Sequence, residues 1–188
     1  MQARHEQFEH HKTLSISVNV SVRQLHAGDF AMSVAEALAE SGLPPDSLIL
    51  ELTESLYIDR HTAIPDTLRR LRKMGVRLAM DDFGTGYSAL ASLSRLPLDR
   101  LKIDRSFVRN ITHAPEELAI ARTIIAIGQQ LGLEVVAEGV ETTEQASLLK
   151  DSGCHIQQGW LFGRPLSSED IAAMLVQLEF PKSGLAAP

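Results

Sequence analysis

Asp81 and Asp82 stand side by side at the end of an apolar run, and Gly84 and Gly86 follow at once in the stretch AMDDFGTGYS. The chain already carries a net charge of -6. Two neighbouring carboxylates repel, and the usual remedies are a shared proton or a bound cation. Successive side chains of a regular strand alternate, so both acids cannot face inward from one. This reading puts Asp82 where the backbone turns, with the glycines permitting the bend. Asn19 in SVNVS, Glu51 in LELTES, Lys102 in LKID and Glu138 in VVAEG fall on the polar side of other apolar runs. No thiol or histidine accompanies these oxygen donors, which favours Mg²⁺ or Mn²⁺ over zinc. Two ions bridged by Asp81, roughly 3.5 to 4 Å apart, would suit water activation and in-line displacement at a phosphodiester. Lys102 has two readings: neutralising buried acids, or positioning water or phosphate.

Elements must bring these residues together. Six β-rich runs recur, at Leu14 to Val20, Leu48 to Thr53, Val76 to Asp82, Leu101 to Asp104, Leu133 to Ala137 and His155 to Leu161. Helical spacing fills Phe30 to Ser41, Thr62 to Met74, Ser88 to Leu96, Glu116 to Leu131 and Thr143 to Asp151. This βα repeat predicts parallel strands wrapped by helices, as a barrel or an open doubly wound sheet. Leu48, Leu50 and Leu52 oppose Glu51, and Val76, Leu78 and Met80 oppose Asp81. With the apolar face on the helices, Asn19, Glu51, Asp81, Lys102 and Glu138 converge near the C-terminal strand ends, where such folds place their chemistry. A complete eight-unit barrel takes about 250 residues, so six units leave it two short.

Composition narrows the classes. At 188 residues and 44% hydrophobic, the chain suits one globular domain. A single cysteine, Cys154, excludes an internal disulfide and fits a reducing, cytoplasmic setting. The absence of a membrane-length apolar window or a signal-type N-terminus predicts no membrane contact by this segment. The acidic balance argues against a nucleic acid polymer as partner. The seven histidines are scattered. Trp160, Phe162 and Met174 read as packing residues, and Glu141 and Glu144 as first-turn acids of the helix near Thr143.

Taken together, SVNVSVRQL, LELTES, DDFGTGYSAL, LKID, VVAEGVE and QQGWLFGRP resemble, in order and spacing, the EAL-domain family of cyclic-di-GMP phosphodiesterases. The resemblance implies an α/β TIM-type (β/α) barrel over residues 13–180, between a helical tail at 1–12 and a flexible tail at 181–188. It implies hydrolysis of bacterial cyclic-di-GMP to linear pGpG with two Mg²⁺ or Mn²⁺ ions. By matching motifs, Asn19, Glu51 and Asp81 would hold one ion, and Asp81, Asp82 and Glu138 the other. Lys102 would orient the water, Gln158 would act near phosphate or water, and Glu141 would join Gln158 in binding substrate. Glu54 would brace the DDFGTG loop.

The departures from the family are specific. No Glu-Ala-Leu strand precedes SVNVS; Glu36-Ala37-Leu38 spells those letters within the helical FAMSVAEALAES and reads as coincidence. His155 stands where the family often has Asp, and Trp160 where Tyr is common. The barrel is therefore expected to be incomplete at its N-terminus, with open edges favouring a homo-oligomer. An upstream GGDEF or sensory domain in a parent protein is a further expectation. The alternatives are a catalytically impaired cyclic-di-GMP-binding or regulatory module, and a metal-using barrel enzyme acting on a carboxylate substrate.

Overall fold

A computed structural model of the chain describes residues 14–26, 28–53, 64–86, 93 and 95–179. Six strands form one sheet in chain order: β1 (Ile16–Val20), β2 (Leu48–Thr53), β3 (Arg77–Phe83), β4 (Arg100–Ile103), β5 (Glu134–Ala137) and β6 (Ile156–Gln157). Every neighbouring pair is parallel. The helices are α1 (Val22–His26), α2 (Phe30–Ser41), α3 (Ile64–Lys73), α4 (Arg105–Arg109), α5 (Pro115–Gln130), α6 (Thr143–Asp151) and α7 (Ser168–Glu179). Each expected strand is present, and α2 and α6 keep their expected bounds. The reading missed α1, α4 and α7, of which α1 and α4 are too short for helical periodicity to register. The expected tails at 1–12 and 181–188, Glu54 and most of the helix at Ser88 to Leu96 lie outside the described residues.

Local chemistry sets the element ends. Asp29 caps α2 by accepting the Met32 N–H at 3.1 Å, and Gly42 closes that helix with φ 64°. Thr142 and Gln145 form a capping box at the start of α6. Alternation then divides the sheet into two faces. Leu50, Leu52, Leu78, Met80, Leu101, Ile103, Val135 and Ala137 join the helix-side core, together with Val34, Leu38, Leu68, Leu71, Ile124 and Leu149. The opposite parity carries Glu51, Asp81 and Lys102, all buried. The architecture is an α/β sheet of TIM type, with β1 and β6 each bonded to one neighbouring strand. At the β1 edge Val18 is 42% exposed, because a strand partnered on one side leaves its outer flank to solvent. Among the described residues no helix is long and apolar enough to cross a membrane.

Candidate metal centre

The two aspartates reach the same side through a β-bulge. Ala79 pairs with Arg100 and Met80 with Leu101; the register then slips, and Phe83 pairs with Ile103. Asp81 and Asp82 thus oppose Lys102 alone, the two-against-one count of a bulge. Asp82 takes φ 54°, the one positive value among described non-glycine residues. Strict alternation after Leu78 and Met80 would send Asp82 into the helix-side core. The extra residue sends Phe83 there instead, where it is buried. The expectation of a turn at Asp82 is therefore corrected: β3 runs on to Phe83, and the turn comes at Gly84.

Lys102 lies at the centre of the acids. Its Nζ donates to Glu51 Oε2 at 2.6 Å, and stands 2.9 Å from Asp81 Oδ1 and 2.5 Å from Glu138 Oε1. Burial works against its charge, yet hydrogen bonds to Glu138, Glu51 and Asp81 hold its pKa above the ordinary lysine value. Burial also lifts Glu138 above the usual carboxylate range, and Lys102 offsets this only in part. Asp82 is raised by burial and then by the charge of Asp81. One ammonium thus serves a group of four carboxylates, Glu51, Asp81, Asp82 and Glu138. Its position matches the first reading of Lys102, neutralising the acids.

The other expected site residues divide into three groups. Asn19 pairs in register with Glu51 and shares its face, but it is exposed on the edge strand. Gln158 is brought in directly: its backbone N–H donates to Ala137 O at 2.8 Å, and its Nε2 donates to Glu138 Oε1 at 2.5 Å. Glu141 is not a first-turn acid, since Thr142 is the cap and α6 begins after it. It is exposed and lines a cavity of about 500 Å³ together with Glu138, Gln158, Arg105, Trp160 and Arg164. The sequence reading missed Arg105; Trp160, read as a core or rim packing residue, is 60% exposed and stands at the rim of this cavity. The available signal was QQGWLFGRP itself, an aromatic and an arginine among glycines with no apolar period around them.

Two glycines allow the cavity walls to form. A Cβ at Gly139 would lie 2.6 Å from Arg105 Cβ, so the loop after β5 packs directly onto the base of that arginine. At Gly159 a Cβ would meet Val140 O at 2.1 Å, and φ is 157°. No other residue type lets these backbones approach so closely.

The donor set fits a hard divalent cation. Carboxylate oxygens of Asp81, Asp82 and Glu138 all lie within 4.8 Å of one another, and oxygen-only sites of this kind suit Mg²⁺, Mn²⁺ or Ca²⁺. Lys102 already places one positive charge among these acids.

A parallel (β/α) sheet with carboxylates gathered beyond its C-terminal strand ends defines an enzyme-type barrel domain. The EAL domain family matches residues 1–165, and the chain belongs to that family. It is 47% identical over 157 residues to the cyclic di-GMP phosphodiesterase NbdA of Pseudomonas aeruginosa, a match covering 83% of this chain and 20% of that protein. The solved PaMucR phosphodiesterase in complex with c-di-GMP is 42% identical with a TM-score of 0.84, over 90% of this chain and 69% of that one. Klebsiella pneumoniae BlrP1, solved as a manganese/cy-diGMP complex, is 35% identical with a TM-score of 0.78, over 87% of this chain and 42% of that one. The chain spans between 19% and 28% of the curated relatives it matches.

Proposed function

We propose that this chain is the phosphodiesterase part of an EAL-domain protein, hydrolysing cyclic-di-GMP to linear pGpG with Mg²⁺ or Mn²⁺. The observation that carries this reading is the bulge that turns Asp81 and Asp82 together toward Glu138 and Lys102. Similarity to solved complexes holding cyclic-di-GMP, one of them with manganese, supports it. Asn19, Glu51 and Asp81 would hold one ion, with Asp81, Asp82 and Glu138 holding a second. Such ions supply Lewis-acid charge neutralisation at the phosphate and a lowered cost of deprotonating water.

The chain's own residues do the rest. Lys102, released from part of its pairing as cations take up the carboxylates, would orient the attacking water and the phosphate oxygen. Gln158 keeps Glu138 aimed by donating to its carboxylate, and Glu141 faces the substrate from the neighbouring cavity. Water oxygen bonds to phosphorus as the bond to the ribose 3′ oxygen breaks. The proton of the water ends on that leaving oxygen, giving a 5′-phosphate and a free 3′-hydroxyl. Glu54 would brace the DDFGTG loop.

Incubating the 188-residue chain with cyclic-di-GMP and Mn²⁺, followed by mass spectrometry, tests this. The expected product is pGpG, absent from the Asp81→Asn variant. Binding without cleavage would establish instead a receptor or regulatory module; neither binding nor cleavage would refute both. Self-association belongs to the same proposal, motivated by Val18 and Ile156, 42% and 38% exposed on the edge strands. Light scattering that shows only monomer would remove it. An upstream GGDEF or sensory domain is the proposed context in a parent protein.

A further inference from the structure

Gln145 is a buried amide in an exposed stretch: it is 5% exposed, while Glu141, Thr142, Thr143 and Glu144 before it all face solvent. An amide is costly to bury unless its polar atoms are paired. Its Oε1 accepts the N–H of Glu141 at 2.7 Å and that of Thr142 at 3.0 Å, and its Nε2 donates to Arg109 O at 3.0 Å. The Thr142 bond belongs to the capping box that starts α6. The other two go beyond a cap. They tie the loop after β5 to the end of α4, whose last residue stands 36 positions before Gln145.

These two segments are walls of one cavity, lined by Arg105 at the start of α4 and by Glu138, Gly139 and Glu141 of the loop. They touch at one point where Gly139 packs on Arg105. Gln145 supplies a second contact about one helical turn further along α4. Within the loop the restraints are divided. Glu138 donates its N–H to Ile103 O at 3.2 Å and Val140 donates to Gln158 O at 3.1 Å, whereas the N–H of Glu141 goes to Gln145. Losing the Gln145 amide therefore releases Glu141 and leaves Glu138, a carboxylate of the metal centre, anchored.

Resting on the cyclic-di-GMP reading above, in which Glu141 meets the substrate, we infer that Gln145 is a positioning residue that fixes the Glu141 backbone before the substrate arrives. Its contribution to affinity is preorganisation. Without the Gln145 bracket, binding has to order the backbone at Glu141, which for one residue weakens affinity about 5- to 30-fold.

The test measures cyclic-di-GMP binding by calorimetry in Ca²⁺, a hard cation of the right ligand class, with Mn²⁺ titrations and thermal scans in parallel. Gln145→Met keeps most of the side-chain volume and loses the hydrogen bonds. It should bind cyclic-di-GMP about 5- to 30-fold more weakly, with Mn²⁺ affinity within about twofold of wild type. In a Glu141→Ala background the same change should cost less than about twofold, since the side chain it positions is gone. Gln145→Glu still accepts both loop N–H groups and should keep most of the affinity. Thr142→Ala removes the hydroxyl that accepts the Gln145 N–H at 3.2 Å, and should lower the melting midpoint with affinity unchanged. Should Gln145→Met not fold, Gln145→Asn, one methylene short of the loop, takes its place in the same cycle. An equal loss with and without the Glu141 side chain, wild-type affinity in Gln145→Met or Glu141→Ala, or a matching loss in Thr142→Ala overturns the inference and leaves the functional reading intact. No heat of binding from the wild type with cyclic-di-GMP overturns both.

Discussion

Replacing Lys102 by methionine removes the cation that, among the described residues, touches Glu51, Asp81 and Glu138. The contacts are 2.6, 2.9 and 2.5 Å long, and the side chains are between 6% and 17% exposed, so solvent screens them weakly. Methionine fills most of the lysine stem's volume, so the change isolates charge from packing. Breaking a buried ion pair by deleting one partner costs about 3–5 kcal/mol, because the remaining charge stays buried without compensation. For a chain of this size each kcal/mol moves the melting midpoint by about 2–4 °C, giving a fall of roughly 6–20 °C in chelator. Two conditions should restore stability. Mn²⁺ should raise the midpoint of Lys102→Met, since the vacated carboxylates gain a cation. Lowering the pH should narrow the difference, since Glu138, already above the ordinary carboxylate range through burial, can take a proton instead. Thermal scans with and without chelator provide the assay. A variant that melts within about 2 °C of wild type in chelator would show that the acids do not depend on Lys102, and the electrostatic account of the centre would fall.

Asp82→Gly should separate backbone from chemistry: relief of a left-handed non-glycine residue stabilises the metal-free chain by about 1 kcal/mol, while calorimetry shows weaker Mn²⁺ binding. Gly159→Ala should lower the melting midpoint and weaken cyclic-di-GMP binding together, because its Cβ would stand 2.1 Å from Val140 O. The Cys154 thiol, pushed up by burial to about 11 from its ordinary value of 9.0, should react with a thiol reagent only on unfolding. Its raised value means the folded state resists losing this proton. Its contribution is therefore complete below pH 9.0 and declines as the pH rises toward about 11; Cys154→Ala should flatten that part of a urea-midpoint profile.

Period-two alternation was enough to read the first five strands and the parity of Glu51, Asp81 and Lys102, because burying one face against helices imposes that pattern on the residues themselves; the short β6 carries no such pattern. The bounds of α2 and α6 were legible from helical spacing, with Gly42 marking the end of the first, while the Asp29 cap and the Thr142–Gln145 box show in the structure why those ends hold. Convergence of the acids followed from a general rule of parallel folds, and the motif order pointed to the family now shown by the match over residues 1–165.

What tertiary structure decided was how Asp82 joins Asp81, which residues share Lys102, and what Trp160 faces. A bulge is a slip between two strands, and β3 alone carries no mark of where β4 will lose register. The three-way pairing of Lys102 depends on β2, β3 and the end of β5 curving around β4, which brings together residues 51 and 138 that the chain holds far apart. Trp160 has the composition of a core residue; its exposure follows from Gly159 and Leu161 being fastened to Val140, a contact between two loops. Local sequence encodes the faces of elements, while distances between side chains on different elements exist only once the sheet has curved and packed.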